Sequence, residues 1–429
     1  MTRLQEDRRL VSGLKPARAA ELARTRSHSS ERNSQRQVLG SARDRSQLRA
    51  RRSAPPRPAA GSALVTRSTR ERVIQHVTPA QVCAFEKEIV RIDGPEPLAL
   101  VRKRRPDCNT IASVVLIHGF GQNRYVWHLP QRSLANHLAY RGFDVFNVDL
   151  RGHGRSAALG AARSRGVDDY IRGDLPAVLR GVRELSGSAR ILMVGHSLGG
   201  VCAAAAAAQA REQVAGVVAI GSPHVLGRRH FVLGSALRIV HNAVVKDGSW
   251  RGSQRRVPVD LIGKTVHAVR YVWDSPFAMI PVRAWKRGSF ESAALRSYLR
   301  SCDGGSFGTL DDLLELGSSG ELRSRLDGRS YTKLIEESTL PLLVIAGAAD
   351  TLVHPRDVKV LYERSQSPNK RYLTFDAGHA DLLLGRTAPE TVWPVLTSWL
   401  AEHALPGTRQ RLRERAASVQ PMHASLGPN

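Results

Sequence analysis

Acidic residues are scarce in this chain of 429 residues: 38 Asp and Glu stand against 64 Lys and Arg, a net charge of +26 and an isoelectric point near 11. That balance draws a protein toward nucleic acid or an anionic membrane face, yet no phosphate-binding or nucleic-acid motif accompanies it. Cysteine is also sparse. Cys83, Cys108, Cys202 and Cys302 stand far apart without C-x-x-C or zinc spacing, which argues against a disulfide framework and a metal knot and makes reduced thiols the expectation. No uncharged apolar run approaches the roughly 18 residues needed to span a bilayer. The N-terminus lacks the apolar h-region of a signal peptide and carries Glu6 and Asp7 early, which counts against secretion and against an organelle transit peptide. A cytoplasmic protein is expected.

The charge is unevenly placed. Residues 1 to 72 contain 18 basic and 6 acidic side chains, a net +12, and repeat Arg, Ser, Ala and Pro, as in Arg49 to Pro58. Such a segment cannot bury enough apolar area to offset chain entropy. Residues 1–75 therefore read as a disordered basic arm, either a weak tether to anionic membrane or nucleic acid or a leader with no such role. Residues 404–429 read as a basic flexible tail.

What the sequence does contain is alternation. A hairpin pattern, Ala84 to Ile92 and Glu96 to Val101 about the turn Asp93-Gly94-Pro95, is followed by the apolar run Ser113 to Ile117, the pattern of a strand buried on both faces of a parallel sheet. Helical patterns follow at about Arg124 to Tyr140 and Asp169 to Leu185, with strands at Phe143 to Asp149, Ile191 to Val194 and Val214 to Ile220. The alternation stops for about a hundred residues. It resumes with a strand from Leu342 to Ala346, a helix near Pro355 to Arg364, a strand at Arg371 to Phe375 and a last helix from about Thr391 to His403. This is an α/β fold, a mostly parallel central sheet covered by helices on both faces.

Within that alternation, Gly195-His196-Ser197-Leu198-Gly199 breaks an apolar strand and enters an alanine-rich helix. A strand turning sharply into a helix forces its apical residue into strained backbone angles, which small neighbours at Gly195 and Gly199 allow. Ser197 is thereby nominated as a nucleophile, with the Leu198 N–H aimed at the same space. His196 and Cys202 are expected to pack away from it.

Residues 84–403 resemble the α/β-hydrolase fold superfamily, and the interruption at about 224–330 falls where that family carries its cap. A serine hydroxyl needs a base, and the base needs a third group to fix its tautomer. The resemblance places these at His379, in Phe375 to Asp381 after the last strand, and Asp350, in the loop Gly347-Ala348-Ala349-Asp350. They lie 153 (Ser197 to Asp350) and 29 (Asp350 to His379) residues apart, so only a fold that gathers strand ends could join them. Asp376 and Asp381 are nearby carboxylates read as structural. The oxyanion loop of the family is resembled by His118-Gly119-Phe120-Gly121-Gln122, which makes the Phe120 N–H the second oxyanion donor beside Leu198, with His118 anchoring backbone. Asp149 to Ser156 matches a family signature and reads as a rigid turn in which Asp149 and Ser156 satisfy backbone groups.

The tail Gly378 to Arg386 with Val392-Trp393-Pro394, and the helix from Asp169, are similar to the polyhydroxyalkanoate synthase and lipase branch. That branch's synthases use cysteine at the elbow, and serine here points instead to an acyl ester. The resemblance implies a serine esterase or lipase-like hydrolase without metal or organic cofactor, acting on a small-molecule or lipid ester. An acyltransferase on the same residues and a noncatalytic protein that keeps the pocket are the alternatives. Residues 223–303 carry 14 basic and 5 acidic side chains with Trp250, Trp273, Phe277, Trp285 and Phe290 interspersed. They could line an acyl pocket or meet a lipid surface, or form a solvated cap with its own small core.

Overall fold

A computed structural model describes residues 65–67, 70–227, 251–259 and 283–404. The residues before 65 expected to form an arm, those after 404 expected to form a tail, and Trp250, Trp273 and Phe277 of the expected cap lie outside the described residues. Strands β1 (Val65–Arg67), β2 (Glu71–Thr78), β3 (Gln81–Ile92) and β4 (Leu98–Arg104) form an antiparallel margin. Strands β5 (Ser113–Ile117), β6 (Asp144–Asp149), β7 (Ile191–His196), β8 (Val214–Ile220), β11 (Leu342–Gly347) and β12 (Lys370–Phe375) run parallel. Together they make a ten-stranded sheet in the order β1-β3-β4-β6-β5-β7-β8-β11-β12, with β2 paired to β3. Two short strands from the region expected to form a cap, β9 (Arg256–Val257) and β10 (Gly305–Ser306), pair separately.

The central strands are apolar runs because both faces are covered. Val115, Ile117 and Met193 belong to the core on one side of the sheet, and Val114, Leu116, Leu192 and Val194 to the core on the other, the two-residue period of a pleated strand. On the first side lie α3 (Leu175–Ser186), closed by Gly187 at φ 67°, and α4 (Leu198–Gln209). All of α4 except Gln209 is buried, so its run of alanines is a helix hydrophobic all round, pressed close against β7 and β8. On the second side lie α1 (Leu134–Tyr140) and, at the far end of the chain, α10 (Val392–His403). The remaining helices are α2 (Gly154–Ala158), α5 (Ser292–Tyr298), α6 (Phe307–Ser319), α7 (Tyr331–Glu336), α8 (Pro355–Arg364) and α9 (Asp381–Leu384). This is the expected α/β fold.

Three boundaries differ from the sequence reading. Among the described residues the sheet begins at Val65, inside the stretch to residue 75 that is expected to be arm, because β2 gains its hydrogen bonds and partial cover from the longer β3. The helix expected over 124–140 is two pieces, a 3₁₀ turn at Arg124–Trp127 and α1, separated by Pro130 in a turn where Leu129 and Arg132 exchange backbone hydrogen bonds of 2.9 and 3.3 Å. Ser133 then caps α1 by accepting from the Asn136 N–H at 3.0 Å. The helix expected from Asp169 opens with a π-helical turn over Asp169–Asp174 before α3, where Pro176 lacks the N–H that an α-turn would use.

Candidate active site

Ser197 stands between β7 and α4 at φ 53° and ψ −127°, the only non-glycine residue with positive φ among the described residues. Its neighbours explain how the chain tolerates that strain. A Cβ added at Gly195 would lie 2.4 Å from the Gly199 carbonyl oxygen, and one at Gly199 would lie 2.3 Å from the His118 carbonyl oxygen. The first turn of α4 is thus seated directly on the end of β5. The Ser197 N–H donates to the Ile220 carbonyl at 2.8 Å, which ties the turn to β8. The side chain is half-buried.

The loop after β5 lies against the same serine. A Cβ at Gly119 would meet the Ser197 Cβ at 3.0 Å, so only glycine lets this backbone come so near. The Leu150 N–H donates to His118 Nε2 at 3.1 Å, which fixes the ring proton on Nδ1, where it bonds the Gly119 carbonyl at 3.0 Å. Burial pushes the His118 pKa down to about 3, in keeping with a neutral ring that braces backbone. Phe120 packs its ring against Gly305 of β10.

Asp350 and His379 are both buried, and Asp350 Oδ2 accepts from His379 Nδ1 at 2.7 Å. The other carboxylate oxygen, Oδ1, accepts from the Leu352 and Val353 N–H groups at 2.9 and 2.8 Å, so the acid is held from its own loop. With the proton on Nδ1, His379 Nε2 keeps a lone pair. Gly221, at φ 56°, follows the Ile220 that anchors Ser197; a Cβ there would lie 3.2 Å from both Nδ1 and Cε1 of His379. The ring therefore sits against the end of β8, next to the serine turn. Ser197 Oγ makes no hydrogen bond among the described residues.

The other sequence-singled residues serve the scaffold. Asp149 accepts from the Arg124 and Arg155 N–H groups, each at 2.8 Å, and pairs with the Arg124 guanidinium. Ser156 donates to the Asp149 carbonyl at 2.5 Å and accepts from the Ala99 N–H at 2.8 Å. Asp376 is exposed and pairs with Lys286. Asp381 accepts from the Gly378 N–H at 2.7 Å and from Lys286 N–H and Ser289 Oγ at 2.6 Å, so it straps the His379 loop to the cap rather than touching the ring. Trp285 and Phe290 pack with Leu295 and Leu382 in the second core. Cys202 is buried in the first. His196 does not turn fully away: its Nε2 lies 3.2 Å from the His379 carbonyl, its Nδ1 lies 3.2 Å from Gln122 Oε1, and its ring is 4.5 Å from that of His379.

Gln122, Tyr298 and Asp303 were not visible as site residues. Gln122 Oε1 accepts from the Gly119 N–H at 3.1 Å while Nε2 donates to Tyr298 Oη at 3.1 Å. The Asp303 N–H donates to the Gly121 carbonyl at 2.6 Å, and Asp303 Oδ2 accepts from the Gly154 N–H at 2.8 Å. Gln122 was within reach of sequence reasoning as a polar residue in the glycine loop; the two cap residues carry no local signal. Among the described residues, no cluster of three or more His, Cys, Asp or Glu is arranged to hold a metal ion, and no helix is long and apolar enough to cross a membrane.

Residues 112–249 match the family model for the α/β hydrolase fold. The chain is 22% identical over 322 residues to a poly(3-hydroxyalkanoate) polymerase subunit of Haloferax mediterranei, covering 72% of this chain and 62% of that protein. It is 33% identical over 111 residues to a pimeloyl-[acyl-carrier protein] methyl ester esterase of Aliivibrio fischeri, covering 26% of this chain and 37% of that one. The chain thus spans less than two thirds of the length of either. A pimeloyl-[acyl-carrier protein] methyl ester esterase of Serratia marcescens is 24% identical over 290 residues, covering 68% of this chain and 94% of the esterase. The sheet order and the match over residues 112–249 together show the α/β-hydrolase fold.

Proposed function

We propose that the protein hydrolyses a carboxylic ester through an acyl-enzyme on Ser197, with His379 as base and Asp350 orienting it. The observation that carries the reading is that a serine held at positive φ and a buried, Asp-bound histidine both lie against the end of β8. In the first half-reaction Ser197 Oγ attacks the ester carbonyl carbon, its proton passes to His379 Nε2, and the carbonyl electron pair moves onto oxygen. Leu198 and Phe120 N–H groups receive that oxyanion; the approach of the Gly119 backbone to Ser197 supports this assignment. Each such donor contributes about 3 kcal/mol of transition-state stabilisation. Collapse of the intermediate expels the alcohol, which takes the proton from His379. Water then repeats the sequence on the acyl-enzyme, giving the acid and free Ser197.

Both esterases described above act, by their names, on a methyl ester of a carrier-bound acyl chain, and an acyl ester is the substrate class proposed here. Acyl transfer to an alcohol is the second reading, favoured by the match to the polymerase subunit over 72% of this chain. A fluorophosphonate probe tests the shared step: labelling of the wild type and none of Ser197→Ala is expected, and failure to label folded wild type would overturn both readings. Product analysis on a panel of esters of graded chain length, with and without competing alcohol, separates hydrolysis from transfer.

A further inference from the structure

We propose that a cavity of about 140 Å³ between the sheet and the α1 side, distinct from the Ser197 site, binds a small oxyanion, a phosphate or sulfate group. Its floor is Val101 and Lys103 of β4 with Val145 and Asn147 of β6, neighbouring strands whose residues pair across the ladder. Around that floor stand Lys87 of β3, Arg124 and Tyr125 of the 3₁₀ turn, and Arg155 of α2. No carboxylate is among the lining residues. The volume corresponds to about four or five waters at liquid density, room for a tetrahedral oxyanion.

The charges around this space leave a positive remainder. Lys87 is paired with Glu71 and Arg124 with Asp149, neither acid lining the cavity. Lys103 has no acid. Although 5% exposed, it bonds only the neutral oxygens of Gln75 at 2.5 Å and Asn136 at 2.7 Å, which occupies two of its three N–H donors. Arg155 is exposed and forms no ion pair among the described residues, although its charge is felt by the Glu71 carboxylate that pairs with Lys87. His128, the remaining titratable lining group, bonds Ser133 Oγ at 2.7 Å, and burial holds its pKa at about 3, so it stays neutral. A buried ammonium with no counter-charge is unfavourable, and here burial with the Lys87 and Arg124 charges lowers the Lys103 pKa to about 7. A dianion in the cavity would meet the third Lys103 donor and two guanidinium groups, supplying the charge the fold omits.

Sulfate is the probe, because it stays dianionic across the pH range tested. Isothermal calorimetry at constant ionic strength should show saturable binding to the wild type at pH 6, weakening toward pH 9 as Lys103 loses its proton. Arg155→Ala, at an exposed position, and Lys103→Met should each weaken it about tenfold, while Ser197→Ala leaves it unchanged, which separates this site from the esterase reading. Absence of saturable binding, affinity flat from pH 6 to 9, or affinity retained in either basic-site variant would overturn the proposal. If Lys103→Met fails to fold, Arg155→Ala and the pH series decide. Comparison of inorganic phosphate with glycerol phosphate then distinguishes a site for the free ion from one for an esterified phosphate.

Discussion

Replacing Asp350 by asparagine tests the site at the point where the structure is most specific. Asp350 Oδ1 is committed to the Leu352 and Val353 N–H groups, so an asparagine keeps its oxygen there and turns its NH₂ toward His379 Nδ1, into the place where Oδ2 now accepts at 2.7 Å. Two donors cannot share that contact, and the imidazole must move its proton to Nε2. The lone pair needed to take the Ser197 proton is then gone. The same tautomer inversion in a serine protease lowers kcat roughly 10⁴-fold, about 5.4 kcal/mol in activation free energy. Turnover of a 4-nitrophenyl ester and the rate of fluorophosphonate labelling should fall together by that factor, while thermal denaturation shows a folded protein. Asp376→Asn, at an exposed carboxylate away from the ring, should leave turnover within about twofold. Asp350→Asn retaining more than a tenth of wild-type turnover would refute the reasoning, and a comparable loss in Asp376→Asn would transfer the role.

Gly199→Ala drives a methyl to 2.3 Å from the His118 carbonyl and 2.4 Å from that of Ile117, both backbone atoms that cannot yield by rotation; a loss of about 3 kcal/mol is expected in urea unfolding. Ser197→Gly removes the side chain from a strained φ of 53° and should raise stability by about 1 kcal/mol while abolishing labelling, a trade visible by combining calorimetry with the probe. Lys103→Met should stabilise the protein in chloride buffer. The Lys103 pKa is lowered from 10.5 to about 7 in the fold, so the unfolded chain binds more protons between those values and wild-type stability rises with pH across that window. The gain from Lys103→Met, about 1 to 4 kcal/mol at pH 6, should therefore shrink toward pH 10, as read from urea midpoints at each pH.

The parts of the fold legible in the sequence are those whose environment is uniform. β5, β7, β8 and β11 are buried along their whole length, so their apolar runs speak for themselves. β2 does not: Glu71, Arg72 and Ile74 are exposed, Ile74 by 77%, and the strand exists through its pairing to β3 rather than through its own pattern. The broken helix over 124–140 had a local warning in Pro130, outweighed by the apolar spacing on either side. At the site, Ser197 was legible because its strain demands glycines in sequence beside it. His379 and Asp350 were placed by resemblance to a family, since nothing in their separation of 29 residues requires the 2.7 Å contact.

The least legible feature governs how the Ser197 site is held. The loop carrying Phe120 is gripped from two directions: His196 and Tyr298 engage Gln122, and Asp303 together with the Ser301 carbonyl engages Gly121 and Asn123. Tyr298, Ser301 and Asp303 all belong to one cap segment, and Asp303 also reaches the Gly154 N–H beyond β6. An oxyanion donor stabilises charge only if it is fixed before the charge develops, because a loop that must reorganise spends its advantage on the motion. The 298–303 segment therefore does more than lie beside the site. It braces the backbone that would hold the oxyanion, so a change of sequence there would alter turnover as well as affinity, whereas a change at a residue that only lines a binding pocket would alter affinity alone.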